Sequence, residues 1–246
     1  MSFLLKLLYP PKCIVCSKVL PIQSKAPFVC SGCVKHLPQI PLHICPTCGK
    51  PLDVDAAKPY CVYCTRKLTG FTFLISPFYY DEGIRESILR MKFGGCANYA
   101  ETYAYYLYER IQRYGKLPEL DLIVPAPISK NRRKERGYNQ AALIAKQLSL
   151  RMNVPWEEIL LKTKETPPQS TLSAEQRKHN LAGAITFSHP ITAQNILLID
   201  DVYTTGSTAY ACARALKKAG GKQVYIATVA VHLPLSAGKN QKQELL

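Results

Sequence analysis

The stretch Asn195-Ile-Leu-Leu-Ile-Asp-Asp-Val-Tyr-Thr-Thr-Gly-Ser-Thr208 decides the fold predicted for this chain. Residues 196–199 are apolar and predict a buried strand, and the adjacent acids at 200 and 201 follow where that strand is expected to end. Small polar residues at 204–208 then lead into a helix predicted over 207–219. A buried strand that passes through polar residues into a helix is typical of α/β proteins, which bind ligands at the carboxyl ends of their strands.

The polar residues of this stretch have chemistry that suits a ribose phosphate. The first N–H groups of a helix lack internal partners and bind anions, and carboxylates accept hydrogen bonds from sugar hydroxyls. The alternative is a capped helix without a ligand, because Asp and Thr are common at helix caps. The rarer ordered combination favours a ribose whose hydroxyls meet the acids and whose 5′-phosphate lies in the turn. The residues assigned to this site are Asp200, Asp201, Thr204, Thr205, Gly206, Ser207 and Thr208.

The same stretch resembles the phosphoribosyl pyrophosphate (PRPP) loop of type I phosphoribosyltransferases. The resemblance implies that Asp200 and Asp201 hold the ribose, that residues 204–208 hold the 5′-phosphate, and that Mg²⁺ bridges ribose and pyrophosphate. In hypoxanthine-guanine phosphoribosyltransferases an acid of this loop acts on the purine, and Thr204 stands at the matching place here. The loop is therefore closer to the orotate type, and purine salvage through such an acid is disfavoured.

Length and composition limit the class of protein. With 246 residues, 47% of them apolar and 20% charged, the chain is long enough for one large domain and a small one. No run of 18 apolar residues occurs, so no membrane span is expected, and the apolar start at 3–8 is too short for a signal peptide. We therefore expect a cytoplasmic protein. The formal charge of +15 indicates either a polyanionic partner, such as nucleic acid or phosphate ligands, or simply a basic surface.

Eight of the ten cysteines form four C-x-x-C pairs near the start of the chain. Two successive pairs supply four thiolates, which suits a closed tetrahedral Zn²⁺ site, so we expect two structural zinc ions. Sequential and cross-braced pairing both fit the spacing. Disulfides are disfavoured without an export signal, and a thioredoxin-like redox site needs one such pair at a βα junction. Iron–sulfur ligation would need only four of the eight. The predicted ligands are Cys13, Cys16, Cys30, Cys33, Cys45, Cys48, Cys61 and Cys64.

Downstream of the cysteines, predicted strands and helices alternate. This order implies βαβ units and a mostly parallel sheet. The predicted strands cover 71–80 (with Pro77 at an edge or bend), 122–124, 196–199 and 223–232, and the predicted helices cover 82–93, 98–114, 138–152 and 207–219. We therefore expect a Cys-rich zinc-binding domain at 1–70, a phosphoribosyltransferase-like α/β domain at 71–235, and a disordered tail at 236–246.

A basic loop is expected between the strand at 122–124 and the helix at 138–152. Five cations and one acid give residues 130–136 a charge of +4. Such a run is usually a solvated surface or a patch for DNA phosphates, but its position after a strand end favours a bound ligand. Arginine matches the oxygens of pyrophosphate, and cations stabilise it as a leaving group. We assign PRPP binding to Lys130 and Arg136, and the catalytic role to Arg132 and Arg133.

A second polar segment, at 165–183, contains Gln169, Arg177 and Asn180. It resembles the flexible loop that closes over the site in these enzymes, and on that basis Arg177 joins the catalytic residues. The alternative is an ordinary surface loop.

These motifs together resemble the ComF family, of the ComFC type. The match runs in order from the cysteine pairs through Pro-x-Pro and R-R-x-x-R-G-Y-N-Q (132–140) to the acids and turn at 200–208. The resemblance implies a zinc finger on a type I phosphoribosyltransferase fold, and a role in natural transformation that handles incoming single-stranded DNA with a helicase partner. It does not imply turnover, and no residue identifies an acceptor base. The alternatives are a metabolic phosphoribosyltransferase of unknown acceptor and a nucleic-acid-binding zinc protein with a vestigial pocket.

Overall fold

A five-stranded parallel sheet organises the chain. It is seen in a computed structural model that describes residues 10–45, 49, 52, 61, 70–163 and 184–232. The strands are β1 (Phe73–Ile75), β2 (Phe78–Tyr79), β3 (Leu122–Pro125), β6 (Asn195–Tyr203) and β7 (Gln223–Val231). They lie in the order β1-β7-β6-β3, with β2 also paired to β7, and every pairing in the sheet is parallel. This confirms the predicted α/β fold.

Six helices connect and cover the strands in the described residues. They are α1 (Ser31–Val34), α2 (Glu82–Phe93), α3 (Tyr99–Tyr114), α4 (Lys130–Arg136), α5 (Gln140–Met152) and α6 (Ser207–Lys218). Side-chain caps fix where four of them begin, for example at α2, where Asp81 Oδ1 accepts a hydrogen bond from the N–H of Ile84 at 2.8 Å. The four helices predicted from the sequence are confirmed, with ends that differ by one or two residues.

The edge strand is interrupted where the sequence predicted a bend. β1 and β2 follow each other along the same side of β7, with Phe73 opposite Tyr225 and Phe78 opposite Ala230. Between them lies Pro77, which has no N–H to donate to the sheet. The pairing therefore stops at this residue and resumes beyond it.

The centre of the sheet is buried on both faces. Residues 196–199 of β6 are fully buried, which explains their continuous apolar run. Helix α5 packs against β3 and β6, and α6 packs against β6 and β7. The two helices lie on opposite faces of the sheet. Gln140 of α5 contacts Asp201, whereas Cys212 of α6 lies near Asp200, and neighbouring side chains of a strand point to opposite faces.

Two sequence predictions near the site are wrong. β6 does not end at Ile199 but continues to Tyr203, because Val202 and Tyr203 still pair with β7. The basic residues 130–136 form helix α4 rather than a loop. Ser129 caps its start, accepting a hydrogen bond from the N–H of Arg132 at 3.4 Å, and Gly137 ends it with φ +79°. Ser129 and Gly137 are helix-cap signals in the sequence, but the run of cations between them favours a charged loop.

A short antiparallel ladder, absent from the sequence prediction, flanks the segment predicted to be a mobile loop. It pairs β4 (Leu160–Lys162) with β5 (Ile185–Phe187). Residues 164–183 between them lie outside the described residues, as do 233–246. The mobile loop and the disordered tail therefore remain predictions. Within the described part of the chain, no helix is long and apolar enough to cross a membrane.

Residues 10–45 pack directly against the α/β part. Arg110 of α3 donates hydrogen bonds to the carbonyls of Ile40 and Pro41 at 2.7 and 2.6 Å. Arg90 of α2 donates to the carbonyls of Ile14 and Val15, both at 2.7 Å. The side chains of Ile14, Phe28, Ile40 and Ile44 belong to the same hydrophobic core as the sheet. The domain boundary at residue 70 remains a prediction.

Candidate functional site

A pocket lies where β6 ends and α6 begins. It is open to solvent and measures about 260 Å³ with its open mouth included. It is lined by Asp200, Val202, Tyr203, Thr204, Gly206, Ser207, Thr208, Ala209 and Thr228. Five of the residues predicted from the sequence are therefore gathered here: Asp200, Thr204, Gly206, Ser207 and Thr208. Thr228 of β7 was not predicted. It stands directly opposite Asp200 in the sheet, so parallel pairing brings it to the site.

The turn before α6 has a backbone conformation that requires glycine. Gly206 has φ +79°, and a Cβ on it would lie 2.4 Å from the hydroxyl of Tyr203, so only glycine fits. Since Gly206 has no side chain, α6 begins without a side-chain cap. Thr205 does not line the pocket, but its hydroxyl lies 3.0 Å from that of Ser207.

The two adjacent acids point to opposite faces of β6. Asp200 lines the pocket, whereas Asp201 faces α2 and α5 and is only 8% exposed. There Lys92 Nζ lies 2.9 Å from Asp201 Oδ1, and Gln140 Nε2 donates to Oδ2 at 2.7 Å. Successive side chains of a strand alternate, so extending β6 through both acids separates them. Of the two acids predicted to bind the ribose, Asp200 lines the pocket, whereas Asp201 forms an ion pair with Lys92.

Their protonation differs accordingly. Burial raises the pKa of Asp200 to about 7, and the negative charge of Asp201 beside it acts in the same direction. Burial would also raise the pKa of Asp201, but the charge and hydrogen bond of Lys92 and the hydrogen bond from Gln140 outweigh it and lower that pKa. Asp201 is thus ionised at neutral pH, while Asp200 changes charge near it.

The basic helix α4 does not line the pocket. Arg133 forms an ion pair with Glu158, and Arg136 lies over the ring of Phe93 with its Cζ 4.8 Å from the ring centroid. Neither Lys130 nor Arg132 is among the lining residues. Arg177 lies outside the described residues. The helix nevertheless follows the carboxyl end of β3, which pairs in parallel with β6. It therefore lies at the end of the sheet where the strands have their carboxyl ends, as the two acids do.

Sequence reasoning missed Lys92 and Gln140. Lys92 occupies the last turn of α2, where a basic residue is expected for the helix dipole alone. Its partner Asp201 lies 109 positions later in the chain, and no local pattern links the two. Gln140 is part of the R-R-x-x-R-G-Y-N-Q segment, but its contact with the acid depends on how α5 packs.

The first four cysteines form a cluster suited to a metal ion. The sulfurs of Cys13, Cys16, Cys30 and Cys33 all lie within 4.8 Å of one another. The Cys16 and Cys30 sulfurs are 3.8 Å apart, which is about the edge of a tetrahedron with Zn–S bonds of about 2.3 Å. The N–H of Cys30 points at Cys13 Sγ, and the N–H of Cys33 at Cys30 Sγ, both at 3.5 Å. Four thiolates that accept hydrogen bonds from backbone N–H groups fit Zn²⁺. The cluster combines the first and second C-x-x-C pairs, which is the sequential rather than the cross-braced arrangement.

The second predicted zinc site is only partly described. Cys45 is buried and Cys61 half-buried, whereas Cys48 and Cys64 lie outside the described residues. This site remains a prediction.

Comparison with known families covers both parts of the molecule. Residues 4–66 match the double zinc ribbon domain family, and residues 138–245 match the phosphoribosyl transferase domain family. The first match contains all eight paired cysteines, and the second contains the strand, pocket turn and helix of the candidate site.

Three curated relatives extend along most of the chain. It is 31% identical to competence protein F of Haemophilus influenzae over 87% of this chain and 94% of that protein. It is 31% identical to competence protein ComFC of Bacillus subtilis over 78% and 79% of the two chains. It is 29% identical to DNA utilization protein YhgH of Escherichia coli K12 over 80% and 88%. The chain therefore belongs to the ComF family of competence proteins, in which a double zinc ribbon precedes a phosphoribosyltransferase-type fold.

Proposed function

We propose that this protein binds PRPP in the pocket between β6 and α6 and acts in the uptake or use of DNA. One observation carries the proposal: the carboxylate of Asp200 and the uncapped start of α6 share a single pocket. A sugar needs acceptors for its hydroxyls, and a phosphate needs donors. PRPP supplies both groups on one molecule.

The pocket residues divide between these two tasks. The N–H groups and hydroxyls of residues 204–208 would receive the 5′-phosphate, and Asp200 would accept hydrogen bonds from the ribose. Thr228 adds a hydroxyl from β7 beside Asp200. Asp201 would act indirectly, since its ion pair with Lys92 fixes the end of β6 on the opposite face.

Mg²⁺ fits the donor set of this pocket. A carboxylate and several hydroxyls are the hard oxygen ligands that Mg²⁺ prefers, and Asp200 is the residue that would hold it together with the pyrophosphate. When bound, the ion neutralises charge on the leaving pyrophosphate. A cation near Asp200 would also favour its ionised form, against the burial that raises its pKa.

The cations assigned to pyrophosphate remain part of the proposal. Lys130, Arg132 and Arg136 stand at the edge of the sheet that carries the acids, and Arg133 is held there by Glu158. Bringing them to a bound pyrophosphate requires its oxygens to extend from the pocket toward α4. Arg177 would join them from the segment between β4 and β5.

The role in DNA metabolism rests on the family and on charge. Relatives are named for competence and for DNA utilization, and the chain carries +15, or +11 if two Zn(Cys)₄ centres each carry −2. We propose single-stranded DNA as the polyanion and a helicase as the protein partner. Zinc would have a structural role, holding residues that pack against α2 and α3.

Calorimetric titration of the zinc-loaded protein with PRPP and Mg²⁺ tests the pocket. We expect saturable binding, weaker binding of ribose 5-phosphate, and loss of binding in Asp200→Asn, because the amide no longer offers a charged acceptor. Asp201→Asn, if folded, should retain more PRPP affinity than Asp200→Asn. Glu109→Gln makes the same chemical change on α3 and should bind normally. A folded wild-type protein that gives no heat with PRPP would contradict the proposal.

A further inference from the structure

An exposed aromatic ring lies beside the acids at the edge of the sheet. Phe93 ends helix α2 and keeps 62% of its surface accessible, although most phenylalanines of soluble proteins are buried. The guanidinium of Arg136 lies over this ring, with Cζ 4.8 Å from the centroid. A cation at this distance from an aromatic face is attracted by its quadrupole. The ring and the guanidinium are therefore two planar groups in contact at the surface.

Arg136 is linked through Gln140 to the buried carboxylate of Asp201. Arg136 Nη1 donates to Gln140 Oε1 at 3.1 Å, and Gln140 in turn donates to Asp201 at 2.7 Å. Phe93 follows Lys92, which forms the ion pair with Asp201 at 2.9 Å. The guanidinium of Arg136 is thus positioned before any ligand arrives, which lowers the entropy lost on binding.

The helix that carries Arg136 is strongly basic. Helix α4 carries five cations, and the only ion pair recorded for them in the described residues is that of Arg133 with Glu158. Lys130, Arg132 and Lys134 remain to attract phosphates. An aromatic ring next to several cations is the combination with which proteins bind single-stranded nucleic acid, because bases stack on the ring and the backbone follows the charges.

We propose that Phe93 and Arg136 form a stacking platform for an unpaired nucleobase, whose phosphates lie along α4. The base would stack on the part of the ring that Arg136 leaves exposed. Duplex DNA does not fit this chemistry, because its bases already stack on each other. The base belongs either to a single strand or to a free nucleotide. Phe93 is not among the residues assigned to PRPP, so stacking on its ring does not depend on PRPP binding, whereas Arg136 would serve both the pyrophosphate and the base. The platform rests on the proposed DNA role and gives that role a location.

Fluorescence anisotropy with a labelled twelve-nucleotide oligothymidylate tests the platform. Phe93→Ala should weaken binding about five-fold or more, because stacking on an aromatic residue contributes roughly that much per base. Phe93→Trp should bind at least as well as the wild type. Leu150→Ala, which removes another exposed apolar side chain on α5, should bind normally. A strand of equal length without bases should bind more weakly, and equally to wild type and Phe93→Ala.

Several results would overturn the platform. The first is no binding of the oligothymidylate to the folded wild type. The second is an equal loss of affinity in Phe93→Ala for strands with and without bases. The third is an affinity of Phe93→Trp as low as that of Phe93→Ala. The tryptophan also reports stacking directly: its emission, above that of the native Trp156, should be quenched by the strand. Quenching by free thymidine 5′-monophosphate at the same base concentration would identify the ligand as a nucleotide, and much weaker quenching would identify it as a strand.

PRPP titration of the same variants separates this inference from the proposed function. Phe93→Ala should keep the PRPP affinity of the wild type. If the wild type fails to bind PRPP but loses oligothymidylate binding on Phe93→Ala, the platform stands and only the pocket assignment fails.

Discussion

The two faces of β6 surround adjacent aspartates with opposite environments. On one face, Asp201 is paired with Lys92 and accepts a hydrogen bond from Gln140, so its charge is balanced inside the protein. On the other face, Asp200 lines an open pocket, and no ion pair involving it is found in the described residues. Its pKa rises to about 7 while that of Asp201 falls. An unbalanced acid beside a pocket indicates a ligand site, whereas a balanced one indicates packing.

Removing the balancing cation should have the largest effect. Lys92→Met leaves Asp201 as a nearly buried charge with one hydrogen bond, and we expect the free energy of unfolding to fall by about 3–5 kcal/mol. Urea denaturation of the zinc-loaded protein at pH 7 measures this. Adding Asp201→Asn to Lys92→Met should recover part of the loss, since the unpaired charge is then gone.

Lys146→Met provides the control for that substitution. Lys146 lies exposed on α5, and its replacement should change stability by less than about 0.5 kcal/mol. If Lys92→Met costs no more than Lys146→Met, the ion pair with Asp201 does not stabilise the fold.

Neutralising each aspartate alone should shift stability in opposite directions. At pH 8, Asp200→Asn should raise the free energy of unfolding by about 2–4 kcal/mol, because a carboxyl whose pKa is raised on folding destabilises the protein when it must ionise. Asp201→Asn should lower it, since Lys92 loses its partner. Thermal unfolding without ligand, followed across pH, measures both.

The pH dependence gives the sharper test. The gain from Asp200→Asn should be absent below about pH 4, where this carboxyl is protonated in both folded and unfolded chains, and should grow up to about pH 7. The loss from Asp201→Asn should disappear as pH falls through the lowered pKa of Asp201. If Asp200→Asn and Asp201→Asn change the free energy of unfolding in the same direction at pH 8, the two faces of β6 do not differ in the way described.

A smaller effect is expected at the turn. Gly206→Ala forces a side chain into a left-handed backbone against Tyr203, and should cost about 1–2 kcal/mol without ligand. It should also weaken PRPP binding, because the turn must move away from the phosphate. Gly95→Ala is the matched control, since Gly95 also has positive φ but has no atom close to an added Cβ. A protein with Gly206→Ala that binds PRPP normally would exclude close contact at this turn.

The sequence predicts the elements well because their signals are local. The end of α2 at Gly94 and the break at Pro77 follow from single residues whose backbone chemistry limits the neighbouring structure. The apolar run at 196–199 is likewise visible without tertiary information. The start of α6 at Ser207 is predicted as well, since a helix start needs only a few adjacent residues.

The separation of the two acids could not be predicted in the same way. It depends on β6 continuing past Ile199, which requires Val202 and Tyr203 to pair with β7. Once the strand continues, alternation sends neighbouring side chains to opposite faces. Lys92 could not be found for a related reason, because its contact with Asp201 joins positions 109 residues apart.

Helix α2 binds two distant parts of the molecule through one turn. Arg90 donates to the carbonyls of Ile14 and Val15, which lie between the clustered cysteines 13 and 16, and Lys92 forms an ion pair with Asp201 near the end of β6. An α-helix advances about 1.5 Å per residue, so the two anchors are about 3 Å apart along a rigid rod. The helix cannot rotate or slide to accommodate one anchor without displacing the other. A displacement of the cysteine cluster is therefore transmitted by α2 to the strand that carries the two aspartates.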